Sequence, residues 1–110
     1  SCIRARFLAL IGKKLKLDEG IFFMLGLFSM LDAILDMSME ALMLQLRVSE
    51  DISGALIYKT GILFPYLQLI HLYEAGEWES VDTILKKLQL DEHKIMDFYL
   101  DAIQWSKNFT

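Results

Sequence analysis

Few residues in this chain have types and spacings that could carry chemistry. Asp32 and Asp36 stand one helical turn apart, the spacing at which two carboxylates can share general acid–base work. They read more simply as the solvated end of a helix, or as a partner for Arg4. The histidines are His71 and His93. His71 falls with Gln68 and Glu74 on the polar edge of one helix, and His93 falls among Asp91, Glu92 and Lys94 in the first turn of another. Both read as surface histidines rather than metal ligands. Cys2 is the lone cysteine, so an intrachain disulfide or a multi-cysteine zinc site is excluded. It has no evident activating base, and a catalytic thiol needs a lowered pKa. No Gly-x-Gly-x-x-Gly or Gly-Lys-Ser/Thr phosphate loop occurs. No catalytic, cofactor-binding or metal-ligating residue is assigned, and no cofactor is expected.

Composition bounds the remaining classes. The chain has 110 residues, 55% of them hydrophobic, enough for one core with apolar surface left for a partner. Residues 20–31 form an uncharged apolar run, but Asp32 ends it well short of the roughly 20 apolar residues that span a membrane. Near the start, Arg4, Arg6, Lys13, Lys14 and Lys16 alternate with apolar residues, unlike the block pattern of a signal peptide. The net charge of −4 is uneven, at +1 over residues 1–48 and −5 over residues 49–110. The second half is thus a poor surface for nucleic acid, whose phosphates attract clustered positive charge. No nucleic-acid partner and no membrane insertion are expected. A reducing cytoplasm fits the cysteine usage. The chain does not begin with methionine, which reads as a segment cut from a longer polypeptide or as a processed chain.

The periodicity predicts an all-α bundle of about seven short helices in a single domain. The first spans 3–15, with Ile3, Phe7, Leu10 and Ile11 on one face. The second spans 19–35, capped by Asp18 and stapled by Leu17 and Phe22. It is apolar nearly all round and should be central. Gly26 weakens it, so another helix should approach closely there. Ser38 caps a third helix to about residue 46, with Met37 and Leu42 as its staple. Ser49 caps a fourth, whose Glu50 and Asp51 complement the helix dipole. Gly61 separates it from a fifth over 64–75, with Pro65 in the first turn and Gly76 as the stop. The sixth carries Trp78, Val81, Leu85 and Leu88 on one face. The seventh is capped by Asp91, stapled by Leu90 and Ile95, and buries Ile95, Phe98, Tyr99 and Ala102 while Asp97, Asp101 and Gln104 point away. Phe22, Phe23 and Phe28 read as core, and Trp78 should pack under the fifth helix.

Several pieces in order resemble one family. They are Arg4-Ala-Arg-Phe7, Gly26-Leu-Phe-Ser-Met-Leu-Asp32, Met39-Glu-Ala-Leu42 leading to Leu46, Ala55-Leu56, Gly61-Ile-Leu63 and Tyr73-Glu-Ala-Gly-Glu-Trp78. Together they resemble the HD-related output domain (HDOD) found after an EAL domain in bacterial cyclic-di-GMP signalling proteins. The resemblance spans almost the whole chain and implies the C-terminal half of such a domain. HD hydrolases bind metal through spread histidines and aspartates, including an adjacent His-Asp pair. Here neither histidine precedes an aspartate, and Ser29 and Asp32 stand in the metal-motif region, which implies lost hydrolase activity. The family reading is a non-catalytic regulatory module whose apolar surface docks an EAL-type domain of the same polypeptide or a second copy, as a homo-oligomer. The rivals are a tetratricopeptide-like scaffold with a groove lined by Tyr66 and Tyr73, and a degenerate metal-dependent phosphohydrolase. Stripped of its family's earlier helices, the chain is also expected to expose an apolar patch or to self-associate.

Overall fold

Ala5, Ala9 and Gly12 are small residues along one helix, and between them Phe7, Leu8 and Ile11 supply bulk. All six are buried in a helix over Ile3–Lys14, α1. The computed structural model describes residues 3–34, 38, 40, 41, 44 and 49–109. Cys2, Asp36 and the side chain of Asp32 lie outside that description. After α1 come α2 (Glu19–Ile34), a short α3 (Glu50–Ser53) running into a π-turn (Gly54–Tyr58), α4 (Phe64–Ala75), α5 (Trp78–Leu88), α6 (Glu92–Ser106) and a closing 3-10 turn (Lys107–Phe109). Among the described residues there is no strand. The all-α expectation holds. Of the predicted third helix, Glu40, Ala41 and Leu44 are helical and the Ser38 Oγ accepts the Ala41 amide at 3.2 Å. The rest of it, with the Met37–Leu42 staple, lies outside the described residues.

Among the described residues the central helix is α1, not α2. It packs along α2 on one side and α6 on the other, and touches α4. Helix α2 shows one buried face, Phe22, Leu25 and Phe28, while Met24 remains 38% exposed. The apolar excess of α2 misled the reading because an apolar residue need not be buried, whereas the small residues of α1 permit contact on several sides. The close approach expected at Gly26 is present. A methyl group there would lie 2.5 Å from the Arg4 carbonyl oxygen and 2.6 Å from the Ala5 Cα. At the other end of the crossing, a methyl at Gly12 would meet the Phe22 Cγ at 2.8 Å.

Local chemistry sets the helix ends. Asp18 Oδ1 accepts the Ile21 amide at 3.1 Å, Ser49 Oγ the Ile52 amide at 3.4 Å and Asp91 Oδ2 the Lys94 amide at 3.1 Å, each cap worth about 1 kcal/mol. Leu17, the expected staple partner of Phe22, is 51% exposed. Helices α1, α4 and α5 close the same way: an amide reaches back five residues (Leu17 to Gly12, Glu77 to Leu72, Leu90 to Leu85), and a left-handed residue sits just before it. Only Gly76 among those residues is the expected glycine; Lys16 and Gln89 hold the same conformation with side chains. Nothing in the sequence foretold the π-turn. Its Lys59 amide returns to the Gly54 carbonyl, Ala55 is fully buried, and Lys59 ends the turn at φ 55°.

Tyr73 links an aromatic cluster. It contacts Phe7 and Tyr99 with ring centroids 5.9 and 4.9 Å away, and Trp78 edge-on at 5.1 Å. The burial expected of Trp78 is not observed. The indole leans on Tyr73 from outside and is 60% exposed, because α5 turns only Val81 and Leu85 fully inward. Phe22 and Phe28 are core as expected, and Phe23 is half-buried against Trp105. Tyr66 packs edge-on against Phe22 at 4.9 Å.

Candidate functional site

The Gly26 crossing brings the start of α1 against the middle of α2, with the end of α4 nearby. Arg4 occupies this junction. Its Nε and Nη2 donate to the Glu74 carboxylate at 2.8–3.1 Å, and its Nη1 donates to the Ser29 carbonyl at 3.1 Å and to Ser29 Oγ at 3.4 Å. One guanidinium thus ties three helices. Both side chains of the pair are only about a quarter exposed, at 26% and 29%, and the fork geometry matches the carboxylate. The expected partners of Arg4, Asp32 and Asp36, have side chains outside the described residues. The partner is Glu74, 70 residues away. No local spacing signals so distant a pairing.

Ser29 also donates its hydroxyl proton to the Gly26 carbonyl at 2.7 Å. The proton is directed into its own helix and not at a base. The oxygen accepts from Arg4, so this serine acts here as a structural joint.

Beside the junction opens a cleft of about 330 Å³. Leu56, Phe64, Leu67 and Leu72 give it apolar walls, and Ser29, Lys59, Gln68 and His71 face it with polar groups. The π-turn brings Lys59 to the cleft, and α4 presents Gln68 and His71 at helical spacing. His71 is exposed overall, yet burial against the wall lowers its pKa below the ordinary value of 6.5. Arg4 and Lys59 push it the same way, against the opposing pull of Glu74. The imidazole is therefore neutral at pH 7, able to donate one hydrogen bond and accept another.

His93 belongs elsewhere. It lines a separate groove between α5 and α6, with Tyr73 and Trp78. Among the described residues no three His, Cys, Asp or Glu side chains form a group that could hold a metal ion. No described helix is long and apolar enough to cross a membrane. Tyr66, Tyr73 and Tyr99 have pKa values raised by burial; Tyr99 and Glu92 raise that of Tyr73 further.

No family model matches the chain, and no solved structure matches it. Two curated proteins do. The uncharacterized protein YuxH of Bacillus subtilis (strain 168) is 28% identical over 109 residues, which is 98% of this chain and 26% of YuxH. The cyclic di-GMP phosphodiesterase CdgJ of Vibrio cholerae serotype O1 is 34% identical over 86 residues, which is 78% of this chain and 20% of CdgJ. The chain thus spans about a quarter of one relative and a fifth of the other, and its sequence is similar to a segment of a cyclic di-GMP phosphodiesterase.

Proposed function

We propose that this protein is a non-catalytic regulatory and interaction module of HDOD type in bacterial cyclic-di-GMP signalling, working beside an EAL-type phosphodiesterase domain of the same polypeptide. The observation that carries this reading is the 34% identity to a segment amounting to a fifth of CdgJ. The remaining four-fifths of that protein leave ample chain for a separate catalytic domain. The site geometry agrees with a structural role. Arg4, Ser29 and Glu74 are engaged with one another, and the two histidines face different clefts. The mechanism is mechanical: an apolar helix surface docks the neighbouring domain, or a second copy, and biases its active state.

Two measurements test this. Incubated alone with cyclic di-GMP and Mg²⁺ or Mn²⁺, the protein is expected to leave the dinucleotide intact. Joined to an EAL domain, it is expected to change that domain's turnover. Metal-dependent hydrolysis by the protein alone would overturn the non-catalytic reading. An EAL domain whose rate and oligomeric state are indifferent to it would overturn the regulatory one.

A further inference from the structure

The groove between α5 and α6 has a volume of about 300 Å³ and is partly open to solvent. Trp78 and Met96 line it, 60% and 46% exposed. Leu100, one turn beyond Met96 on α6, is 57% exposed. Tyr73 also lines the groove and braces the indole edge-on. Large apolar side chains grouped in this way mark contact surfaces. Tryptophan is among the residues most often dominant in interface energetics, and methionine adapts its shape to a partner.

The rim is acidic. Asp82 and Glu92 line the groove from opposite helices. Across residues 64–106 there are eight acidic side chains against three lysines. Lys86 partly offsets Asp82 at 3.1 Å, but both are well exposed, at 79% and 52%, so water screens that pair and it is readily exchanged. An exposed indole in a groove that carboxylates also line attracts a cation twice over, through its ring quadrupole and through the charges nearby.

We propose that this groove docks a basic amphipathic helix: apolar side chains inserted between Trp78 and Met96 and reaching towards Leu100 one turn beyond, with Lys or Arg reaching Asp82, Glu92 and the indole. A cleft between two helices with anchors one turn apart suits a third helix, read through its apolar stripe. The acidic rim selects cationic flanks and disfavours acidic ones, which is where specificity arises. The groove keeps this chemistry whether or not the protein acts in cyclic-di-GMP signalling.

The test uses two fluorescein-labelled helical peptides of about 18 residues with the same leucine stripe, one flanked by lysines and one by glutamates. Fluorescence anisotropy should show saturable, salt-sensitive binding of the lysine peptide and none of the glutamate peptide. Trp78→Ala should weaken binding by at least about tenfold, and the Asp82→Asn, Glu92→Gln double variant should weaken it too. These positions are exposed, and unchanged far-UV circular dichroism should confirm that each variant is folded. No saturable binding, equal binding of the two peptides, or an affinity unmoved by Trp78→Ala would overturn the proposal. A concentration-dependent dimer of the peptide-free protein that Trp78→Ala abolishes would also overturn it, since the occupant would then be a second copy.

Discussion

Replacing Gly26 with alanine sets two effects of known sign against each other. In the interior of α2, alanine is favoured over glycine by about 1 kcal/mol of helix propensity. The added methyl, however, would lie 2.5 Å from the Arg4 carbonyl oxygen and 2.6 Å from the Ala5 nitrogen and Cα, all backbone atoms. No side chain can rotate aside. Helix α1 would have to retreat by about 1 Å to reach the 3.4 Å of ordinary contact. That shift would lengthen the 3.1 Å bond from Arg4 to the Ser29 carbonyl and loosen the packing around Ala5. Overpacking of this kind costs roughly 1–3 kcal/mol, sometimes more, and the lost charge-assisted bond adds about 1 kcal/mol. The expected net result is a destabilisation of about 1–3 kcal/mol. Gly20→Ala is the matched control: its methyl would meet only Asp18 Oδ1, at 3.3 Å, so the same chemical change should stabilise by up to about 1 kcal/mol. Urea unfolding followed by far-UV circular dichroism measures both. A Gly26→Ala variant as stable as the parent would refute the close helix crossing on which the site geometry rests.

Four further outcomes are expected. Trp78→Ala should cost about 1 kcal/mol or less, the scale of one aromatic pair, rather than the roughly 3–5 kcal/mol of a buried tryptophan; denaturant titration separates the two. Arg4→Met and Glu74→Gln should each cost about 1–2 kcal/mol, and the double variant clearly less than the sum of the two. His71 has a folded pKa below its unfolded value of 6.5, so the unfolded chain binds more protons just below that pH, and stability should fall as pH drops from about 7 towards 5. In His71→Gln that slope should flatten; a thermal-melt series across the range would read it. Gln89→Gly should raise stability by about 0.5–1 kcal/mol in thermal melts, because Gln89 sits at φ 58°, where a side chain is strained.

What the sequence disclosed and what it hid divide by range. Caps and stops were legible because Asp18, Ser38, Ser49, Asp91 and Gly76 act within three to five residues of themselves. Gly26 was legible too, since a glycine inside an apolar helix needs a reason. The left-handed Lys16, Lys59 and Gln89 were not, because the backbone around each dictates the conformation and the residue type does not announce it. The order of burial was misjudged. Hydrophobicity ranked α2 above α1, but access from several sides is granted by small residues such as Ala5, Ala9 and Gly12. Trp78 was misplaced for a related reason, since a helical face predicts direction but not how far a neighbour extends to cover it. At the candidate site, Ser29 and His71 were noticed one by one, whereas the Arg4–Glu74 tie that organises them depends on tertiary proximity alone.

The position of α1 between α2 and α6 also dictates an order of assembly during synthesis. Helices α1 and α2 are neighbours in the chain and can close on each other as soon as both leave the ribosome. The opposite flank of α1 must wait. Phe7 meets Tyr99 with ring centroids 5.6 Å apart, and Arg6 meets Asp101, 95 positions further along the chain, at 2.9 Å. At translation rates of about 5–20 residues per second, that delay is on the order of 5–20 s. Until then, the side of Phe7 that meets Tyr99 lacks its partner. A chain stalled before α6 emerges thus leaves this flank open to chaperone capture, and docking of α6 on α1 is the step that closes it.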